Sequence, residues 1–270
     1  MTDAEEILDR ATRCVLAFSG KRGPVLAPMA FWADGSSLWM SMPAASVKAA
    51  AMRRRPHCSA YVAPVDGIGP GLVLAGRVRI YGLHDPLGLA VHGAVVSAAM
   101  TALATRNAGT ILGYVQDARQ VPQRFRPRNR VAVRFTVDEM RTVTSPEPGP
   151  GVAPALPTVV SPTVRRALSG RRHVVVGTGA PSGTVAITPA VWGSGFTLEV
   201  PAGDPLPEQG TAAVYLGDDP QRRPTRVAGL LLSGELSGGR LQPNRVTWWE
   251  GFDLTTAAIE ATSSSIIIPE

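Results

Sequence analysis

The chain contains two similar halves, which constrains its fold more than any other feature of the sequence. Residue types recur in the same order at four places: residues 173–176 resemble 14–17, residues 183–192 resemble 23–32, residues 230–236 resemble 72–78, and 244–246 resemble 129–131. One match could arise by chance, but an ordered series indicates a duplicated structural unit. We therefore predict a first unit over residues 1–144 and a second over residues 158–262.

A segment rich in proline and glycine lies between the predicted units. Residues 145–157 contain five prolines and two glycines, a composition typical of an extended, semi-rigid spacer. We read this segment as a linker and residues 263–270 as a separate tail, for which the sequence leaves strand addition and disorder equally open.

The first unit has the pattern of a β-rich domain. Residues 24–32 and 37–42 are two β-rich runs separated by Asp34-Gly35, which is a strong hairpin signal. Ser46 predicts the start of a short helix and Pro56 predicts its end. Further strands are expected around Val62, over residues 73–80 and over 131–135.

Two more helices are predicted between the later strands. Asp85 and Pro86 are typical of a helix start, and the helical pattern continues to about Arg106. Because Ala, Gly and Val dominate this stretch and it contains His92 and Ser97, we interpret it as a packing helix rather than a membrane span. A second helix is expected over residues 110–119.

Ser46 and Lys48 have the chemistry of an anion site. A helix start presents unpaired backbone N–H groups and a positive partial charge, to which a hydroxyl and an ammonium would add. Spacing alone favours the simpler interpretation, an ordinary capped helix with a solvated lysine. Two facts favour the functional one: Lys48 is one of only two lysines among 27 basic residues, and it directly follows a hairpin.

Charge is distributed unevenly between the halves. Residues 1–142 carry a net charge of +8 and residues 143–270 a net charge of −2. A basic first half suits a phosphorylated or polycarboxylate ligand. Nucleic acid is a weaker candidate because no nucleic-acid motif is present and aromatic residues make up only 6% of the chain.

The order of these motifs resembles a known family. A hairpin, a small-residue turn, Ser46-x-Lys48, Arg53-Arg54-x-Pro56 and a later Gly76-Arg-Val strand are similar to the flavin and deazaflavin oxidoreductases of the split β-barrel fold, typified by pyridoxamine 5′-phosphate oxidase. The resemblance covers residues 5–80 and resumes at 129–134. It implies a mainly β fold with flanking helices, in which two FMN-binding-type split β-barrels in tandem form an intrachain pseudo-dimer.

The resemblance also implies a set of cofactor-binding residues. They are Met29, Ala30, Phe31, Ser41, Met42, Ser46, Lys48, Arg53 and Arg54. No catalytic side chain and no metal ligand is predicted, because in such enzymes the cofactor carries out hydride transfer. The second half has no Ser-x-Lys motif and carries acids where the first half has bases, so we expect one cofactor per chain. Pyridoxamine phosphate oxidation itself is not expected, since the substrate-phosphate residues have no match.

FMN is the first candidate cofactor and the deazaflavin F-420 the second. The arginine-rich run from Arg124 to Arg130 suits a cofactor with an acidic tail, but a solvated loop explains it equally well. Haem is a third candidate, with His57, His84 or His92 as the ligand. The competing functions are therefore a redox enzyme acting on a small organic molecule, a non-catalytic flavin or haem binder or sensor, and a structural protein that has lost its cofactor.

Other expectations concern the cellular compartment and the partners of the protein. Two cysteines, Cys14 and Cys58, give neither a disulfide framework nor a metal spacing, which favours a reducing cytoplasm. We expect a small-molecule substrate and neither a nucleic-acid nor a membrane partner. Whether pseudo-dimers pair further as a homodimer is left open.

Overall fold

A computed structural model of the chain describes residues 3–65, 67, 69–109, 130–180, 183–217 and 227–259. The first half contains, in order, α1 (Asp3–Arg10), β1 (Arg13–Gly20), β2 (Gly23–Asp34), β3 (Ser37–Pro43), α2 (Val47–Arg54), β4 (His57–Val62), β5 (Pro70–Tyr81), α3 (Pro86–Arg106) and β6 (Arg130–Thr144). These elements confirm the predicted hairpin, both helix starts and the later strands. The predicted helix at 110–119, Arg124, Arg126, Arg128 and the tail at 263–270 lie outside the described residues.

The six strands of the first half form a closed barrel in the order β1-β2-β3-β6-β5-β4. Alternate residues of each strand point inward, and Leu16, Phe31, Met40 and Phe135 are fully buried in the barrel core. Each such side chain contributes about 1.5–3 kcal/mol through its burial. Helix α2 closes one end of the barrel and adds Met52 to the same core.

The second half contains α4 (Pro162–Leu168), β7 (His173–Gly179), β8 (Val185–Trp192), β9 (Leu198–Glu199), β10 (Gln209–Gly217), β11 (Ala228–Ser237), β12 (Arg240–Glu250) and β13 (Asp253–Ala258). Its strands form one sheet in the order β13-β12-β11-β10-β7-β8-β9. The sheet curls until the residues beside β9 reach β12. A single bridge between Thr197 and Arg240 joins them, with N–H groups of Leu198 and Leu241 donating to carbonyl oxygens at 2.8 and 3.0 Å.

Strand register shows that the halves are copies of one unit. In the first half, Val15 lies opposite Pro28 and Tyr61, and in the second half Val175 lies opposite Pro189 and Tyr215. The two copies also share a β-bulge at a glycine, Gly76 in β5 and Gly234 in β11. A Cβ on either glycine would lie 2.0 Å from a carbonyl oxygen of the facing strand. The predicted tandem arrangement is therefore present in the fold.

The register corrects three of the four matches predicted from the sequence. Because Val175 corresponds to Val15, residues 173–176 correspond to 13–16 rather than to 14–17. With Pro28 aligned on Pro189, Trp192 corresponds to Phe31 rather than to Trp32, and both Trp192 and Phe31 are fully buried. The Asn244-Arg-Val246 run corresponds to residues 138–140 rather than 129–131. The error at residues 244–246 arose because β11 and β12 are joined by a tight turn without the long insertion that contains α3.

The two halves pack together through equivalent surfaces. An apolar cluster joins them and is formed from corresponding residues of both: Leu26 with Ile187, Tyr61 with Tyr215, Val73 with Leu231, and Val143 with Trp249. An interface in which both partners use the same surface patch is isologous, as in a two-fold dimer. The chain is thus an intrachain pseudo-dimer with an approximate two-fold axis between its halves.

The linker packs against the second half. Ala153 and Leu156 pack against the core of that half, although residues 145–157 contain neither helix nor strand. Arg172 donates to carbonyl oxygens of both Gly149 and Trp192. Contacts at Gly149, Ala153 and Leu156 therefore hold the segment against the second half, so it is not a free spacer.

Helix α3 is apolar on both sides. Val96, Ala99 and Leu103 are buried, and the helix packs against the outside of the barrel at Trp39 and Tyr81. Three large apolar residues on the other side are exposed: Leu87, Val91 and Val95. Within the described part of the chain, α3 is the one helix long and apolar enough to cross a membrane, which by itself is weak evidence for a span.

Candidate functional site

The start of α2 brings Ser46 and Lys48 to one end of the first barrel. Ser46 has extended backbone angles and its hydroxyl accepts a hydrogen bond from the N–H of Ala49 at 3.2 Å. The half-buried side chain of Lys48 reaches back toward β2, where its Nζ lies 3.8 Å from Sδ of Met29. The lysine is therefore held across the mouth of the barrel and is not a fully solvated surface residue.

Arg130 completes a positively charged group with Ser41. Because β3 pairs with β6, the guanidinium of Arg130 lies beside Ser41 and donates to its hydroxyl at 2.9 Å and to its carbonyl at 2.7 Å. We call Ser41, Ser46, Lys48 and Arg130 the Lys48 cradle. Of the four arginines in the predicted basic run, Arg130 is the one within the described residues.

The electrostatics of the cradle favour an anion. Burial, and then the nearby charge of Arg130, lower the pKa of Lys48 from 10.5 to about 8. Among the described residues, no carboxylate forms an ion pair with Lys48. A phosphate bound here would interact with both cations and would raise the lysine pKa again. The residues present therefore fit a phosphate group.

Other predicted site residues are placed differently. Met29, Phe31 and Met42 are buried in the barrel core, and of the three side chains that of Met29 contacts Lys48. Ala30 is half-buried and alternates with them, so it faces the outside of the barrel. Of the nine predicted residues, Ser41, Ser46 and Lys48 come together as side chains.

The arginine pair at the end of α2 lies away from the cradle. Arg53 and Arg54 are exposed, and Arg53 contacts Nε2 of His84 instead. This contact borders a separate pocket of about 230 Å³ that also includes Arg79 and Asp85. The sequence prediction grouped Lys48 with Arg53, but α2 separates them. They are five positions apart, which corresponds to about 7.5 Å along the helix axis and about 140° around it.

The histidines considered as haem ligands occupy three different places. His57 is exposed at the start of β4, His84 lies beside Arg53, and His92 packs edge-on against Tyr81 with ring centroids 5.9 Å apart. Within the described ranges, no group of three His, Cys, Asp or Glu residues could hold a metal ion.

The second half has a carboxylate where the first half has its helix-capping hydroxyl. Phe31 pairs with Met40 and the equivalent Trp192 pairs with Leu198, so counting onward places Asp204 at the position of Ser46. By the same count, Leu206 replaces Lys48 and Glu199 replaces Ser41.

Asp204 is fully engaged by neighbouring groups. Its side chain is 8% exposed, pairs with Arg141 of the first half at 2.5 Å and accepts a hydrogen bond from Thr188 at 2.6 Å. An internal carboxylate thus occupies the second copy of the cradle, and its negative charge would repel a bound phosphate.

Comparisons with known proteins agree with the resemblance seen in the sequence. Residues 2–77 match the family model described as pyridoxamine 5′-phosphate oxidase, and the predicted resemblance is confirmed for that part of the chain. A comparison with curated proteins found no match.

Solved structures similar to this chain cover about half of it. An FAD-binding protein from Mesorhizobium loti is 16% identical with a TM-score of 0.38, and covers 53% of this chain and 94% of its own. General stress protein 26 from Bacillus anthracis is 13% identical with a TM-score of 0.34, covering 52% and 89%. An F-420 reductase is 20% identical with a TM-score of 0.35, covering 52% and 98%.

Proposed function

We propose that this chain, which resembles the pyridoxamine 5′-phosphate oxidase family over its first barrel, is a flavin-type oxidoreductase. It would bind FMN, or alternatively the deazaflavin F-420, and transfer hydride to or from a small organic substrate. The observation that carries the proposal is the Lys48 cradle, in which a half-buried lysine with a pKa lowered to about 8 lies near Arg130. Burial disfavours the charged form of Lys48, and a bound anion would offset that cost.

Each residue of the cradle has a defined part in the proposal. Lys48 and Arg130 would hold the phosphate by charge, and Ser46 would donate its hydroxyl while the first backbone N–H groups of α2 point at the same oxygen atoms. Ser41 keeps Arg130 in position through two hydrogen bonds. The ring system, when bound, supplies the hydride chemistry, and the chain binds and orients it.

The same reasoning predicts one cofactor per chain. The second copy of the cradle contains Asp204 in an ion pair with Arg141, and Leu206 where the first copy has Lys48. Binding of two flavins per chain would contradict this part of the proposal.

Titration with FMN, F-420 and haem, followed by absorbance and fluorescence, tests the proposal. We expect one flavin-type ligand to bind at one per chain. Lys48→Ala should weaken binding about 10- to 100-fold, because a charge-assisted contact contributes about 1.5–3 kcal/mol. Lys21→Ala is the matched control, since Lys21 is the other lysine of the chain and is exposed in the turn before β2.

The outcomes separate the competing functions. Flavin binding with reduction of the bound flavin by a nicotinamide or organic donor would support an oxidoreductase. Flavin binding that stays inert to every donor and acceptor would favour a carrier or sensor. Binding of haem alone, or flavin binding indifferent to Lys48→Ala, would refute the proposed site.

A further inference from the structure

The N-terminal end of α3 exposes large apolar side chains that no other element of the described chain covers. Leu83, in the turn before the helix, is 94% exposed, and Leu87 and Val91 are 79% and 76% exposed. Leu87 and Val91 are one helical turn apart, so they lie on the same face of α3. We call these three residues the apolar tip. Large apolar side chains that are exposed together, rather than singly, mark an interaction surface.

The opposite side of α3 holds the helix on the barrel. Val96 and Ala99 are buried in a cluster with Trp39 and Tyr81 of the barrel wall. The helix could not leave the barrel without exposing this cluster to water, so the apolar tip belongs to a peripheral surface rather than to a membrane span. From residue 86 to residue 105 the chain carries no Asp, Glu, Lys or Arg, so the tip has no charged neighbour on its own helix.

Arginine side chains border the apolar tip. The guanidinium of Arg53, at the end of α2, contacts Nε2 of His84, which directly follows Leu83. Arg54 is the next residue of α2 and is also exposed. Within the described part of the chain, neither arginine forms an ion pair with a carboxylate. Two cations are therefore available beside exposed leucine side chains.

The carboxylate of Asp85, next to His84, is engaged by other groups. It accepts hydrogen bonds from the guanidinium of Arg79 at 3.2 Å and from the N–H of Gly88 at 3.0 Å. In addition, residues 1–142 carry a net charge of +8. The surface that surrounds the apolar tip is therefore cationic, and it attracts anionic partners.

We propose that the apolar tip, with Arg53 and Arg54, docks the protein on an anionic lipid surface. The guanidinium groups pair with lipid phosphate oxygens, and the leucine and valine side chains enter the boundary between headgroups and acyl chains. The sequence alone predicts no membrane partner, and the exposure of the apolar tip is the observation that changes this expectation. The docking surface is independent of the proposed flavin chemistry.

Two other partners fit this surface less well. A second copy of the chain, paired two-fold through the same end of α3, would bring the arginines of both copies together, and like charges repel. Nucleic acid would pair with the arginines through its phosphates but would leave Leu83 and Leu87 in water. A lipid surface satisfies the cationic and the apolar groups at once.

Flotation of the full chain with lipid vesicles tests the proposal. We expect binding to vesicles of phosphatidylcholine with about 30% phosphatidylglycerol, and little binding to vesicles of phosphatidylcholine alone. Binding should weaken as salt is added, because salt screens the attraction between the arginines and the lipid phosphates.

Variants at the apolar tip and at the arginines separate the two contributions. Leu83→Ser/Leu87→Ser should lower the partition coefficient at least ten-fold, since burial of one leucine contributes a factor of about ten or more. Arg53→Gln/Arg54→Gln should lower it about 25-fold, because each basic residue near an anionic surface contributes a factor of about five.

Matched controls come from the second half. Leu254 is 63% exposed on β13 and Arg240 is exposed on β12. Leu254→Ser and Arg240→Gln remove the same kinds of group from a surface outside the proposed docking site, and each should leave vesicle binding unchanged. All of these substitutions are at exposed positions, so the variants should fold, which circular dichroism checks.

Three results with vesicles would overturn the proposal: no binding to anionic vesicles, equal binding to neutral and anionic vesicles, or binding that Leu83→Ser/Leu87→Ser leaves intact. Light scattering without lipid gives a fourth. A concentration-dependent dimer that the same leucine variant abolishes would assign the surface to a second copy of the chain. None of these outcomes depends on flavin binding, so failure of the proposed function and failure of this proposal are distinguishable.

Discussion

The affinity of the cradle for a phosphate ligand should fall as pH rises through about 8. Burial and the charge of Arg130 lower the pKa of Lys48 to about 8 in the ligand-free protein. If only the protonated lysine binds phosphate, affinity follows its protonated fraction, about 0.9 at pH 7 and about 0.1 at pH 9. We therefore expect affinity for FMN to fall about ten-fold between these two pH values.

The phosphate itself does not account for such a change. Its second ionisation occurs near pH 6, so it is already largely dianionic at pH 7. Binding should also be coupled to proton uptake near pH 8, because a dianion beside Lys48 raises its pKa. Calorimetric titrations in two buffers of different ionisation enthalpy measure that uptake directly.

Two variants isolate the contribution of Lys48. Lys48→Ala should bind weakly and with little pH dependence, while Lys48→Arg should also be independent of pH because the guanidinium stays charged throughout this range. A wild-type affinity that is constant from pH 7 to pH 9, or a fall that persists in Lys48→Arg, would refute the reasoning.

Three further predictions concern stability. Gly76→Ala should destabilise the first barrel by about 3 kcal/mol, measured by urea unfolding, because the new Cβ would lie 2.0 Å from a carbonyl oxygen of β6. Arg141→Leu should cost about 2 kcal/mol at pH 7 by leaving the poorly exposed Asp204 without its cation. Burial raises the pKa of the Cys14 and Cys58 thiols from 9.0 to about 12, so stability should decline above pH 9 as unfolded thiols ionise, by about 2 kcal/mol for each at pH 10.5.

Each stability prediction has a control and a contrary outcome. Gly93→Ala in α3 is the control for Gly76→Ala, because its new Cβ would meet no neighbouring atom and it should not destabilise the protein. A Gly76→Ala protein as stable as the wild type would show that the bulge relaxes around the new Cβ. Arg79→Leu breaks an exposed ion pair with Asp85 and should cost under about 1 kcal/mol. For the thiols, alanine at both cysteines should reduce the alkaline loss, and an undiminished loss would show that other groups cause it.

Local sequence signals located most elements of the fold. The Asp34-Gly35 turn, the cap at Ser46 and the Asp85-Pro86 helix start act through residues close in sequence, and all three were predicted correctly. The short length of β9 was not predictable in this way. Residues 196–202 align with residues 38–44 of the first half when Trp192 is placed on Phe31. However, β12 begins at Arg240, the position of Arg134, and so lacks the segment that pairs with the end of β3.

The candidate site was only partly predictable, because some of its contacts join residues that are distant in the sequence. Ser46 and Lys48 lie two residues apart, and a helix start brings them together without help from the rest of the fold. Arg130 is one of four closely spaced arginines, and only the register between β3 and β6 selects it as the partner of Ser41.

Fusion of the two barrels changes what a single substitution can do. In a dimer of identical subunits, any mutation appears at both related sites, so a residue that blocks one blocks the other. Here Asp204 occupies one copy of the cradle and Ser46 occupies the other, and among the described residues β13 has no counterpart in the first half. Covalent linkage thus allows one barrel to keep the Lys48 cradle while the other loses its copy, at any protein concentration.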